Sequence, residues 1–276
     1  MSTGADRRGS ARGGRLDVAI LVGAVVGIGL VLGGHGLEGG SMRSLLQGAA
    51  AVIVFGGTLG AVMLSFPVRD LKLAVTSLKH LVVDDAPPAD GMVSLIGRFA
   101  LRARKDGLLS LEDDAERMTD PFLKRALALA IDGTSSTTLR AMLEDEIGSR
   151  EELEETPARV FEAAGGYAPT VGILGAVLGL IQVMENLADP SNLGSGIAVA
   201  FVATVYGVGS ANLLFLPIGS RFRARAQRNA RRREAVLEGV MAIQEGLNPR
   251  LIDQKLRGLL GLDGPPPRSG VSGRAA

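Results

Sequence analysis

The sequence predicts an all-α integral membrane protein, with four transmembrane helices and a helical cytoplasmic domain between spans 2 and 3. Three observations predict it. Four blocks of mainly apolar residues each approach the ~20 that a helix needs to cross the hydrocarbon core. Lys and Arg fall unevenly between those blocks, as they do when alternate connections face the cytoplasm. No run alternates with period two, so almost no sheet is expected. Hydrophobic residues make up 46% of the 276 and charged residues 21%. The mean hydropathy of +0.26 is compatible with that charge because the two kinds of residue sit in separate blocks.

Leu16–Leu32 (LDVAILVGAVVGIGLVL) is the first span, with Asp17 at its edge within reach of headgroups. A secretory signal peptide is the other reading, since Arg7, Arg8, Arg12 and Arg15 precede the run. The run is longer than usual for one, and Gly33-Gly34-His35-Gly36 follows instead of a small-x-small cleavage site. Leu45–Phe66, Tyr167–Leu187 and Gly196–Ile218 are spans two to four. The segment before span one holds 4 Lys/Arg, the Gly33–Ser44 loop only Arg43, and residues 67–166 hold 13. The Ala188–Ser195 loop has none, and the tail after span four has 12. Both termini and the middle segment are therefore expected in the cytoplasm. The chain divides into an N-terminal tail (1–15), a first hairpin (16–66), a cytoplasmic domain (67–166), a second hairpin (167–218) and a basic tail (219–276), disordered from about 263.

The cytoplasmic domain reads as helical. Val93, Ile96, Phe99 and Ala100 recur at helical spacing, and Lys105-Asp106-Gly107 breaks the pattern. Asp120-Pro121 starts a helix, because Asp caps and Pro fits the first turn. Leu123, Leu127 and Ile131 line its face, and Asp132-Gly133 ends it. Ser135 or Ser136 caps the next helix, which carries Leu139, Met142, Leu143 and Ile147 inward; Gly165-Gly166 marks the entry to span three. The tail begins RFRARAQRNARRR at Arg221. Directly after a span, with no aromatic residue interleaved beyond Phe222, this reads as a juxtamembrane helix beside anionic lipid and not as a nucleic-acid site. From Glu234 to Leu260 a further helical pattern carries Val236, Val240, Ile243 and Leu247, then Leu251, Leu256 and Leu259.

Composition excludes much enzymology. There is no cysteine, and the two histidines, His35 and His80, lie in separate segments. No metal-ligand spacing, phosphate loop or Ser-His-Asp set is present, so neither a cofactor nor an enzyme is expected. Gly23/Gly27, Gly56/Gly60 and Gly175/Gly179 are small-xxx-small pairs suited to helix packing. Polar residues inside spans are costly unless satisfied. Spans one and two have only Thr58 near their centres, whereas spans three and four carry Thr170, Gln182, Thr204, Tyr206, Ser210 and Asn212, with Pro169 and Pro217. The first hairpin is thus expected to face lipid and the second protein or water. No span has a carboxylate or histidine at its centre. A proton-conducting site needs a titrating group at that depth, which a partner chain would have to bring.

Two hairpins, a long cytoplasmic insertion and a basic tail resemble the MotA/PomA subunit of the bacterial flagellar stator, within the MotA/TolQ/ExbB family. The most specific block is residues 168–222, with its Pro, Gly-x-x-x-x-x-x-Gly, Thr-x-Tyr-Gly and Phe-x-Pro-Ile order; residues 104–112 (RKDGLLSLE) resemble the family's charged cytoplasmic motif. The resemblance implies an ion-driven rotary unit: five A subunits around two MotB/PomB-like single-span, peptidoglycan-binding subunits that supply an essential aspartate. It implies that Pro169 and Pro217 flank the channel, that Thr204 faces it, and that Arg104 and Glu112, beside Lys105 and Asp113, meet the rotor protein FliG. Sodium-driven relatives carry a second threonine where this chain has Ala176, which implies protons as the transported ion. The nearest rival is a TolQ/ExbB-like energiser of an envelope or gliding machine. Those relatives have three spans, and the extra first hairpin argues against them. A solute transporter would show internal repeats, which the two hairpins lack, and a pure scaffold would use the polar cluster for packing alone.

Overall fold

A computed structural model describes residues 15–16, 18–84, 89–185 and 190–262. The expected disorder from about 263 and the expectations for residues 1–14 lie outside the described residues. In chain order the elements are β1 (Arg15–Leu16), α1 (Val18–Leu37), α2 (Gly48–Ser65), α3 (Val68–Ser77), α4 (Lys79–Val82) and β2 (Val83–Asp84). There follow α5 (Ala89–Asp106), α6 (Glu112–Glu116), α7 (Pro121–Ile131), α8 (Ser136–Glu185), α9 (Pro190–Ser210), α10 (Leu216–Gln244) and α11 (Pro249–Leu259). Strands β1 and β2 form one antiparallel two-residue pairing, Arg15 opposite Asp84 and Leu16 opposite Val83. The described residues are otherwise helices and their connections, as expected.

Three helical runs are long and apolar enough to cross a membrane: Gly48–Ser65, a stretch of Ser136–Glu185, and a stretch of Leu193–Gln244. Helix α1 holds a shorter apolar run, Val25–Leu37. It continues through Gly33, Gly34 and Gly36, where the sequence predicts a loop, and the chain turns only at Gly39, whose φ is +81°.

The chain forms two compact units, one from Met1–Ala86 and Glu152–Ala226, the other from Pro87–Glu151 and Gln227–Ala276. In the first, the apolar helices pack around Ala50, Val54, Val199, Val202 and Ala203, and around Val62, Ala74, Val160 and Ala164. Two local π-helical turns, Val52–Gly56 and Ala211–Phe215, widen its helices. The second π turn stands just before Pro217. Proline has no N–H to give to the preceding turn, and the Leu216 N–H reaches back to the Ala211 carbonyl.

The second unit is a helical core built around Val93, Ile96, Leu111, Leu127, Leu139, Leu143, Val236, Val240, Ile252 and Leu256, each at most 2% exposed. Its helix ends follow the sequence signals. The Asp120 carboxylate accepts from the Phe122 and Leu123 N–H groups, at 2.9 and 3.3 Å. Gly107 and Gly133, at φ +83° and +76°, close α5 and α7. Ser135 Oγ accepts from the Thr138 N–H.

Several expectations are corrected. The helix does not begin at Gly165-Gly166: α8 runs unbroken from Ser136 to Glu185, through Pro157 and Pro169 as well. A Cβ on Gly165 would lie 2.5 Å from Leu216 Cδ2, so this glycine serves a close contact. Met142 is 50% exposed. Leu139, Leu143 and Ile147 take the inward face, and Met142 falls about 100° from its centre. Leu247 lies in a turn set by Gly246 (φ +69°), after which Asn248 caps α11. The new helix buries Ile252 and Leu256, leaving Leu251 and Leu259 exposed. Among the described residues, a Cβ added at Gly23, Gly56 or Gly60 would meet nothing within 4 Å.

Candidate functional site

Helices α8 and α9 run antiparallel and touch backbone to backbone along a ridge of small residues. Added Cβ atoms show how close they are. On Gly172 it would lie 2.9 Å from the Ala203 carbonyl oxygen, and on Gly179 2.8 Å from the Ala200 nitrogen. On Gly207 it would lie 2.5 Å from the Ala168 carbonyl oxygen and 3.0 Å from Gly172 Cα. On Gly175 it would meet Ala203 Cβ at 2.8 Å and Ile53 Cγ2 at 3.2 Å, so α2 joins the same contact. Only glycine permits this approach, and dispersion between close backbones is what holds helices together where lipid removes the hydrophobic driving force. Of the three glycine pairs read from sequence, Gly175/Gly179 is the one the structure uses whole. Its continuation through Gly172, Gly196 and Gly207 requires knowing which helices meet.

The ridge orients the predicted site residues. Pro169, Ala176 and Thr204 each directly follow a ridge residue: Ala168, Gly175 and Ala203. One residue advances a helix by about 100°. On antiparallel neighbours that step turns both helices' side chains toward the same side of the pair. Pro169, Ala176 and Thr204 therefore share one side, and all three are half-buried. The Thr204 hydroxyl donates to the Ala200 carbonyl at 3.4 Å, a back-bond that leaves its oxygen able to accept. Pro169 cannot donate to the Gly165 carbonyl. Pro217 is exposed and, since Leu216 meets Gly165, lies about one helical turn along α8 from Pro169.

Sequence reasoning missed two features here. The Tyr206 hydroxyl donates to the Leu45 carbonyl and accepts from the Gln47 N–H at 3.4 Å, and its ring stacks on Phe55 at 5.8 Å. It latches α9 to the turn before α2. The Thr58 hydroxyl is buried with no hydrogen-bond partner among the described residues. Thr58 stood out in sequence as the polar residue of the first hairpin, but its isolation did not.

In the second unit, Arg104 and Lys105 close α5 while Glu112 and Asp113 open α6, each pair favourable for its helix dipole. All four are exposed, and none has an ion pair or side-chain hydrogen bond among the described residues. The ion pair that does form is Arg102–Asp114, which clasps α5 to α6 while buried Leu111 and Ala115 pin the turn between them. The four predicted charges thus stand in rows of opposite sign at one fixed corner. A second network joins Arg140 to Glu238 (2.7 Å) and Glu144 (3.1 Å), and Lys255 to Glu238 (2.5 Å). Burial pushes the Glu238 carboxyl up, but hydrogen bonds from Lys255 and Arg140 outweigh it and hold the group below its ordinary value. The same bond to Glu238, then that to Glu144, raises Arg140.

Among the described residues no group of three or more His, Cys, Asp and Glu is placed to hold a metal. An apolar, glycine-packed bundle with a one-sided polar face, combined with a charged helical unit, describes a membrane-embedded transport subunit. The chain belongs to the MotA/TolQ/ExbB proton channel family, whose profile matches residues 114–235, while the Motility protein A N-terminal profile matches residues 21–104. Family and apolar helices together make it a multi-pass protein of the inner membrane. It is 36% identical to the uncharacterized protein YtxD of Bacillus subtilis over 87% of each chain. It is 33% identical to Motility protein A of the same organism, over 87% of this chain and 90% of that one. Its fold matches a chain in the structure of C. jejuni MotAB with a TM-score of 0.86 and 30% identity, covering 92% of this chain and 100% of that chain.

Proposed function

We propose that the chain is an A-type stator subunit of the bacterial flagellar motor, which with a B-type partner forms a transmembrane proton channel and turns ion-motive force into torque. The observation that carries this is the shared side of Pro169, Ala176 and Thr204 on the α8/α9 pair. Polar and proline-freed backbone groups gather there at membrane depth, and neither span has a carboxylate or histidine at its centre. Such a face conducts protons only if another chain brings the acid. That fits a single-span, peptidoglycan-binding MotB/PomB-like subunit with an essential aspartate. The family resemblance extends this to a ring of five copies.

The topology follows the charge count: four spans, both termini and residues 67–166 in the cytoplasm, Arg43 outside. Helix α1, with 20 residues, is about 30 Å long, the thickness of the hydrocarbon core. The exposed corner of Arg104, Lys105, Glu112 and Asp113 is then the contact with the rotor protein FliG. Ala176 offers no hydroxyl to replace sodium's hydration shell, which favours protons.

Thr204→Val and Pro169→Ala test the channel. Assembly is read by co-purification of the partner subunit and motility by swimming speed. Lost swimming with intact assembly is expected of both. Undiminished swimming in both would make the face mere packing and reject the channel reading.

A further inference from the structure

The first unit contains a cavity of about 390 Å³ that the channel reading does not use. Ile28 and Leu32 of α1 wall it on one side, Met42 and Phe55 on another, and Tyr206 and Gly209 of α9 on the third. Its size is that of a small-molecule site. Its walls are almost wholly apolar, because the two hydroxyl residues that line it are already bonded, Tyr206 to Leu45 and Gln47 and Ser210 to the Gly207 carbonyl. Helix α1 closes against this region where Gly27 meets Leu213 Cδ2, at the ordinary contact distance of 3.5 Å for an added Cβ. Near that point Val25, Leu30 and Val31 are more than half exposed.

An apolar cavity open to the bilayer interior is not left empty, since its lining would forfeit dispersion contacts that a hydrocarbon chain restores. Charge indicates which kind of chain. Met42 and Leu45 line the cavity from the 3-10 turn Met42–Leu45, and Arg43 stands between them. Arg43 is exposed, forms no ion pair among the described residues, and is the sole Lys or Arg between Leu16 and Phe66. We infer that this cavity binds one acyl chain of an anionic phospholipid whose phosphate pairs with Arg43. The site rests on the topology proposed above only for its leaflet, which that topology makes the outer one.

The structure supplies a selective test. A Cβ on Gly209 meets nothing within 4 Å, and Gly209 lines the cavity, so Gly209→Leu extends into its volume. The complete chain is purified in mild detergent, delipidated, and titrated with 1-palmitoyl-2-oleoyl-phosphatidylglycerol under native mass spectrometry. One lipid per chain is expected for the wild type. Binding weaker by on the order of fifty-fold is expected for Gly209→Leu, which displaces about three methylenes. Arg43→Gln should weaken it about fivefold. Equal binding by wild type and Gly209→Leu overturns the inference.

A second reading does not depend on that variant folding. The chain has no cysteine, so Val31→Cys, at the exposed rim of the cavity, carries a single bimane label without plugging it. Quenching by phosphatidylglycerol brominated on its acyl chains supports the site. Disulfide cross-linking of Val31→Cys between two copies, without quenching, overturns it and gives the cavity to a second copy. Glu38→Cys labelled by impermeant maleimide from outside fixes the leaflet. If it is labelled from inside while Gly209→Leu still loses lipid, the site stands and the topology falls.

Discussion

Gly207 and Gly209 lie two residues apart on α9 and predict opposite outcomes for the same substitution. In Gly207→Ala the new Cβ falls 2.5 Å from the Ala168 carbonyl oxygen, 3.0 Å from Gly172 Cα and 3.3 Å from the Ala168 carbonyl carbon. All three are backbone atoms, so no side chain can rotate away. Ordinary contact begins at 3.4 Å, so α8 and α9 must part by 3.4 minus 2.5, about 0.9 Å, at this level. Overpacking of this kind costs about 1–3 kcal/mol. In Gly209→Ala the Cβ enters open space, and replacing glycine within a helix is neutral or stabilising by up to ~1 kcal/mol. The two variants should therefore differ by about 1–4 kcal/mol. Thermal unfolding of the full chain in detergent reads the difference, with Gly207→Ala melting below wild type and Gly209→Ala at or above it. Swimming should follow the same order, because the separation moves Thr204 away from Pro169. Equal melting of the two variants would refute the packed ridge and the placement of the channel face derived from it.

Three further outcomes are expected. Reversing the corner charges together, Arg104→Glu with Glu112→Arg, should impair torque while leaving membrane insertion and melting unchanged, because neither residue has an internal partner; normal motility would remove this corner from the rotor contact. Glu238→Gln should destabilise the full chain by about 1–2 kcal/mol at neutral pH, since it gives up charge-assisted bonds to two half-exposed cations. Glu238's folded value is depressed, so its contribution is fully present above the ordinary carboxylate value of 4.5 and is lost as pH falls through the lower folded value. Wild type should therefore melt above Glu238→Gln at pH 6, and the gap should close as pH falls below 4.5 and through the folded value; a gap that persists in strong acid would contradict the network.

The apolar blocks, the Asp120-Pro121 start and the Gly107 and Gly133 stops were legible in sequence because each is decided within a few residues. What was not legible depends on partners far along the chain. Gly165-Gly166 reads as the entry to a span, but only the fold shows that α8 continues through it and that Gly165 admits the close approach of Leu216. Leu251 fits a helical pattern drawn through Leu247, but the turn at Gly246 resets the phase and buries Ile252 instead. Arg102 and Asp114 looked no different from their charged neighbours; only the fold selects them as the internal pair and frees Arg104, Lys105, Glu112 and Asp113. The candidate channel face was partly legible. Pro169, Ala176 and Thr204 came from resemblance, while their common side follows from the ridge, which no single helix encodes.

The central claim is that this chain conducts protons with a partner's acid and delivers torque. The most direct measurement is swimming speed in a bacterium that lacks its own A-type subunit, given this chain together with its single-span partner. Swimming should be restored, should be indifferent to withdrawal of external sodium, and should collapse when a protonophore abolishes the proton gradient. Swimming that tracks external sodium and persists with the protonophore present would contradict the account.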